Sequence, residues 1–121
     1  MSHKKLKEIV ESLVAIADSK KAEDLRSYFV SEKNWMTDYV VVIGVLNKIQ
    51  AKAILIDIEK YISDLDNSDD LFNIARVSGT PQSGWLILDL NSIVVHFVDQ
   101  EKRDFYNIDS LLELQGDVYH Y

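Results

Sequence analysis

The chain has 121 residues, of which 47% are hydrophobic and 27% charged, and its 20 acidic and 13 basic side chains give a formal net charge of −7. This length and composition predict a single folded domain over residues 1–121, and the apolar runs are too short for a membrane span, so we expect a cytoplasmic protein. The acidic balance argues against direct nucleic-acid binding, and the absence of cysteine excludes disulfides and thiolate chemistry.

The first half of the chain alternates between helical and strand patterns. From Leu6 to about Lys20 the apolar residues recur at intervals of three and four, which predicts an amphipathic helix. The short run at 25–30 predicts a strand. The segment "TDYVVVIGV", at 37–45, predicts a strand buried on both faces, because its centre is an unbroken β-branched run. Residues 51–65 return to helical spacing.

The second half begins with the polar cluster "DNSDD", which is a loop by composition. Three strand patterns follow, a weak one at 71–77 and two strong ones at 85–90 and 93–98. Asn91-Ser92 joins the last two as a hairpin. Residues 100–112 predict a closing helix whose apolar face carries Phe105, Ile108, Leu111 and Leu112. The end of the chain, at about 114–121, is expected to be loose. The order predicts an α/β protein with a mixed β-sheet of about five strands flanked by α-helices.

Clustered acids between the second predicted helix and the weak strand raise the possibility of a metal site. An EF-hand counted from Asp64 requires glycine at its sixth position and glutamate at its twelfth, where this chain has Asp69 and Ala75. Asp64 and Asp66 also resemble the paired carboxylates that hold magnesium in nucleotidyl transfer. No P-loop or dinucleotide-binding glycine motif accompanies them, so we expect a solvated loop, no metal and no cofactor.

His96, Asp89 and Ser92 are the residue types of a catalytic triad. A nucleophilic serine needs a sharp turn between a strand and a helix, and no serine of this chain has that context. The interpretation favoured here is a partly buried histidine on a strand, hydrogen-bonded to the backbone or to a carboxylate. No catalytic residue is therefore predicted, and the protein is not expected to be an enzyme.

Trp85 opens a predicted strand after the stretch "GTPQSG". Along this strand the alternation of side chains places Leu86, Leu88 and Leu90 on one face and Trp85 with Asp89 on the other. The leucine face belongs to the core. A tryptophan on the mixed face either covers the core or anchors a partner, and the pattern of this strand fits both roles.

Three sequence blocks resemble the ribosomal silencing factor family, also known as the Iojap-related proteins. The blocks are "TDYVVVIG" with "QAKAI" at 37–54, "GWLILDLNSIVVHF" at 84–97 and "RDFYNIDSLL" at 103–112, and the similarity extends from about 6 to 112. The residues that match family motif positions, and are therefore candidates for partner binding or for support of the binding surface, are Asp38, Tyr39, Trp85, Asp89, His96, Arg103 and Tyr106.

The resemblance implies a nucleotidyltransferase-like topology without catalytic residues. It implies a translation repressor that binds the large ribosomal subunit through ribosomal large-subunit protein fourteen and sterically blocks joining with the small subunit. Homodimers are known among bacterial members, so a homodimer is also expected here. Two alternatives remain open, which are a factor for large-subunit assembly and a nucleotide-binding protein related to the nucleotidyltransferases.

Overall fold

The computed structural model of the protein describes residues 3–30, 37–65, 76–114 and 117–121. Its helices and strands follow in the order α1 (His3–Ser19), β1 (Glu23–Phe29), β2 (Tyr39–Val45), α2 (Lys48–Asp64), β3 (Arg76–Thr80), β4 (Trp85–Asp89), β5 (Ile93–Asp99), α3 (Gln100–Tyr106), α4 (Ile108–Glu113) and β6 (Asp117–His120). The expected α/β architecture is confirmed. The predicted acidic loop at 66–70 and most of the weak strand at 71–77 lie outside the described residues, and the strand that is described there runs from Arg76 to Thr80.

The described strands form one mixed sheet in the order β3-β4-β5-β2-β1-β6. β2 and β5 are parallel, with Tyr39 opposite Ile93, whereas the other neighbours are antiparallel. The prediction of about five strands was one short, because the end of the chain forms β6 along β1 instead of a loose tail. An isolated four-residue strand has no strong sequence signal, and it is the unpaired edge of β1 that stabilises it.

The larger core lies between the sheet and the two long helices. Leu13 of α1 and Ile54 of α2 are fully buried against inward side chains of β2, β4 and β5. Asn47 is the N-cap of α2, and its side chain accepts a hydrogen bond from the Gln50 backbone N–H. This N-cap fixes where the helix leaves the carboxyl end of β2.

The smaller core lies on the opposite face of the sheet, under α3 and α4. Val40, Val42 and Val98 of the sheet pack there with Ile108 and Leu112. All seven residues of β2 are buried, which confirms the expectation that this strand is covered on both faces.

The single closing helix predicted over 100–112 is divided into two. Asn107 has φ 51° and ψ 44°, the left-handed conformation that ends a helix, and its N–H bonds to the carbonyls of Arg103 and Asp104. Because the chain changes direction at Asn107, the apolar spacing of α3 does not continue into α4. Phe105, expected on the buried face, is 78% exposed, and Leu111 is also exposed.

Among the described residues, no helix is both long and apolar enough to cross a membrane.

Candidate functional site

α3 and α4 cover only part of the second face of the sheet. The uncovered part, which we call the open face, consists of five half-buried side chains from β4 and β5, namely Trp85, Ile87, Asp89, Val94 and His96. The leucines between them on β4 are buried on the other side, which confirms the predicted alternation. The open face is thus a direct consequence of the strand pattern and of how short the last two helices are.

Trp85 and His96 form a hydrogen-bonded pair at the centre of the open face. Trp85 Nε1 donates to His96 Nδ1 over 3.0 Å, and the ring centroids are 6.0 Å apart. Because Nδ1 accepts this bond, the proton of the neutral imidazole is on Nε2. Burial lowers the pKa of His96 to about 4, so the ring is neutral near pH 7. His96 is half-buried as expected, but this hydrogen bond comes from the Trp85 indole and not from the expected backbone group or carboxylate.

Two aromatic residues of α3 extend the open face beyond Trp85. The Tyr106 ring lies 5.1 Å from that of Trp85, and the Phe105 ring lies 4.9 Å from that of Tyr106 in an edge-to-face arrangement. Both side chains are more than half exposed. Sequence reasoning missed Phe105 because it matched the helical spacing of the core, although an asparagine two residues later is a recognised helix-ending signal.

Gly84 allows Trp85 to lie this close to α3. Its φ is 78°, and a Cβ at this position would collide with the Asp99 carboxylate. That carboxylate caps α3 by accepting a hydrogen bond from the Lys102 N–H, and the Asp99 N–H donates to the Gly84 carbonyl. The start of β4 and the start of α3 are therefore held together, which fixes the position of the aromatic rings.

Arg103 supports the open face from beneath. It is 2% exposed and donates two hydrogen bonds to Asp109, at 2.5 and 3.0 Å, and Tyr28 donates a third at 2.6 Å. Burial by itself would raise the pKa of Asp109, but the bonds from Arg103 and Tyr28 outweigh it and lower the pKa. Arg103 thereby ties α3 to α4 and to the sheet, and it presents no surface to a partner.

The other three residues of the family motifs lie near the amino end of β2. Tyr39 is buried on the side of the long helices, where burial raises its pKa to about 12. Asp38 is half-buried, and its backbone bonds to Ser92 and Val30. Asp89 accepts a hydrogen bond from the Asn91 N–H and so shapes the turn between β4 and β5. The structure therefore brings Trp85, Asp89, His96 and Tyr106 onto one face and leaves Tyr39 in the core.

On the open face, aromatic rings, an imidazole N–H and a carboxylate lie side by side. These groups can make apolar contacts and can donate and accept hydrogen bonds. Among the residues that the structure describes, no three acidic or histidine side chains lie close enough together to hold a metal ion. Of the aspartates considered for calcium or magnesium, Asp64 ends α2, whereas residues 66, 69 and 70 lie outside the described ranges.

The sequence matches the model of one protein family along nearly its whole length. That family is described as "Ribosomal silencing factor during starvation", and the match covers residues 3–118. The chain belongs to this ribosomal silencing factor family. Relatives with the name Ribosomal silencing factor RsfS match over most of the chain. The one from Halalkalibacterium halodurans is 25% identical over 115 residues, 90% of this chain and 94% of the relative. The one from Bacillus subtilis is 26% identical over 106 residues, 87% of this chain and 85% of the relative.

Solved structures have the same fold. A protein from Chromobacterium violaceum superposes with a TM-score of 0.73 at 20% identity, covering 88% of this chain and 85% of that one. A protein from Bacillus halodurans gives a TM-score of 0.67 at 25% identity, covering 87% of this chain and 93% of its own. This chain therefore shares its fold with proteins that differ from it at three quarters or more of the aligned residues.

Proposed function

We propose that this protein is a translation repressor that binds the large ribosomal subunit through ribosomal large-subunit protein fourteen and sterically blocks joining with the small subunit. The observation that carries the proposal is the family match over residues 3–118. The open face is the binding surface in this proposal, because it presents the matched motif residues Trp85, Asp89, His96 and Tyr106 together.

The open face has the physical features of a protein-binding surface. Tryptophan, tyrosine and arginine dominate the binding energy of protein interfaces, and Trp85 with Tyr106 forms an aromatic centre here. The hydrogen bond to His96 holds the indole in one orientation, so little side-chain entropy is lost when a partner packs against it. An aromatic centre that is already ordered favours tight binding.

Charge supports a basic partner. The chain has a net charge of −7, and complementary charge on a basic ribosomal protein would speed association. No bond is made or broken in this mechanism. Bound protein occupies the face of the large subunit at which the small subunit would dock.

Co-sedimentation with purified large subunits tests the binding step. The unaltered chain should pellet with the subunits, and Trp85→Ala should weaken binding by about 2 kcal/mol or more, roughly thirtyfold, because an interface anchor is lost. Phe105→Ala, at the 78% exposed edge of the same aromatic group, should weaken binding without endangering the fold. Ile56→Ala, on the exposed side of α2, is the matched control and should bind normally.

Failure of the unaltered chain to pellet with large subunits would refute the proposal. Normal binding by both Trp85→Ala and Phe105→Ala would place the contact elsewhere on the molecule. A second assay tests the blocking step. Adding the protein to separated subunits should lower the fraction that forms whole ribosomes on a gradient, and an unchanged fraction despite binding would contradict steric silencing.

A further inference from the structure

A second surface lies on the opposite side of the sheet, between its β3 edge and α2. Its floor is formed by Leu55 and Leu86, and its walls by Ile49 of α2 and Val77 of β3. These residues enclose an open groove of about 470 Å³ that is lined mainly by apolar atoms. We call it the α2–β3 groove.

The outer edge of β3 lies beside this groove, and no described strand pairs with it. Among the described strands β3 pairs with β4 alone, and all five of its residues are exposed. Alternate residues of an edge strand direct their backbone N–H and C=O groups away from the sheet, where an extended chain can pair with them. Natural edge strands are often protected by proline or by inward-pointing charge, and Val77, Ser78 and Gly79 at the centre of β3 provide neither.

Large apolar side chains are exposed along the groove. Ile49 is 75% exposed and Val77 is 47% exposed, on opposite walls. Ile56, two helical turns beyond Ile49, continues the same stripe of α2 and is also exposed. Side chains of a strand added to β3 would cover this apolar surface, since alternate residues of that strand would point toward α2.

Two lysines at the rim of the groove indicate the charge of the occupant. Lys48 and Lys52 lie in the first two turns of α2, where the helix dipole already places positive charge, and the first turn contains no acidic residue. Their spacing of four residues also makes the two ammonium groups repel each other. Within the described part of the chain, neither lysine is placed in an ion pair. A carboxylate from a partner would relieve both effects.

We propose that the α2–β3 groove binds an extended acidic segment of a partner protein, which adds a strand to β3. The backbone of this segment pairs with the outer edge of β3, its apolar side chains cover Val77 and Ile49, and its carboxylates reach Lys48 and Lys52. Strand addition of this kind takes affinity from backbone hydrogen bonds and specificity from pockets for alternate side chains.

This surface is distinct from the open face. Leu86 and Val77 point toward α2, whereas Trp85 and Ile87 point to the other side of the same strands. The two surfaces also differ in the charge that they attract, since lysines border the groove and Asp89 lies on the open face. One molecule can therefore hold both partners at the same time.

The test uses a synthetic peptide in which valine and threonine alternate along the centre. Two aspartates stand at each end of the peptide. We expect this peptide to bind the full chain saturably, as measured by the fluorescence anisotropy of the labelled peptide. The backbone amide resonances of β3, Ile49 and Lys52 should shift during the titration, while those of β5 should stay in place. A peptide with lysine in place of each aspartate should bind much more weakly, because it is repelled by Lys48 and Lys52.

Matched charge reversals on one helix identify the contact. Lys52→Glu should weaken peptide binding about tenfold, whereas Lys60→Glu, an equal charge change at an exposed position outside the groove, should change it little. Equal binding of the acidic and basic peptides would overturn the proposal, as would no saturation up to about 1 mM, the weak end of specific recognition. The proposal would also be overturned if light scattering showed that the unaltered chain is a dimer and that Lys52→Glu makes it a monomer. The occupant of the groove would then be a second copy of this chain.

Discussion

At the residue scale, His96 acts on the open face through Trp85. Its neutral Nδ1 accepts the indole N–H, so the tryptophan has a fixed orientation only while the imidazole carries no proton on that nitrogen. Burial keeps it uncharged by lowering its pKa to about 4. His96 is thus a positioning residue, and the order of the aromatic centre depends on its protonation state.

The buried histidine predicts a pH dependence of folding stability. The pKa of His96 falls from 6.5 to about 4 on folding, so below pH 6.5 the unfolded state gains a proton that the folded state does not. The free energy of unfolding should therefore decrease as the pH falls from 6.5 toward 4, by at most about 1.4 kcal/mol per pH unit. Urea unfolding at several pH values measures this loss.

His96→Gln isolates the contribution of this group, because the amide oxygen can still accept from Trp85 but does not titrate. Its free energy of unfolding should change less over the same interval. The lowered pKa of Asp109 also reduces stability in acid, but Asp109 is present in both proteins, so its effect cancels in the comparison. Parallel pH curves for the two proteins would contradict the assignment.

Arg103 matches a family motif, but it supports the fold and does not reach the surface. A buried guanidinium requires compensation, and Asp109 and Asp24 provide it at 2.5 and 3.6 Å. Gly44 leaves room for it, since a Cβ there would contact both the guanidinium and the Glu23 carbonyl. The arginine stabilises the junction of α3, α4 and the sheet on which Tyr106 depends.

At the element scale, the division between α3 and α4 determines which aromatic residues are available to a partner. The left-handed Asn107 turns the chain so that Ile108 and Leu112 enter the core while Phe105 and Tyr106 remain outside. A continuous helix would keep Phe105 in register with Ile108 and Leu112. The turn therefore creates the aromatic edge of the open face.

Substitutions at Asn107 test this role. Asn107→Gly should leave stability nearly unchanged, because glycine adopts positive φ freely, whereas Asn107→Val should cost about 1–2 kcal/mol, because a β-branched residue is strained at φ 51°. Chemical denaturation measures both. The valine variant should also bind large subunits less well if Phe105 and Tyr106 shift. Equal stability of the two variants would show that the left-handed turn is not required.

At the scale of the whole molecule, one edge of the sheet is formed by the short strand β6, which pairs with β1. β6 pairs with β1 from Arg26 to Phe29, the Tyr121 N–H donates to the Leu25 carbonyl, and the Tyr121 and Ser27 hydroxyls lie 3.0 Å apart. The opposite edge of the sheet is β3, so β3 and β6 are the two edge strands among the described ones. The pairing of β6 with β1, which supports the fold, and the β3 edge proposed for binding are therefore at opposite ends of the sheet.

Removing residues 117–121 should expose β1 and lower the free energy of unfolding by about 2 kcal/mol or more, because several ladder hydrogen bonds are lost together. The shortened chain should also self-associate through the new edge, which light scattering would detect. Tyr121→Phe is the control, since it removes only the hydroxyl contact and should cost about 1 kcal/mol or less. A shortened chain that is as stable as the full one would show that β6 is dispensable.

Strong periodic patterns in the sequence determined the main elements. The helical spacing of α1 and α2, the buried run of β2 and the alternation along β4 each follow from local side-chain chemistry, so they could be predicted without knowledge of neighbours. The same blocks carried the family resemblance. Trp85 was accordingly identified as a surface candidate, and its face of the strand was correctly separated from the leucine face.

Only the tertiary structure decided which candidates are exposed, because exposure depends on packing between distant segments. Arg103 and Tyr39 belong to motifs but are buried, whereas Phe105 matches a core pattern but is exposed. β6 forms because β1 offers an unpaired edge more than eighty residues earlier in the chain, as the pairing of Arg26 with His120 requires. Local sequence specifies the period of a helix or strand, while long-range contacts determine which of its faces meets a partner.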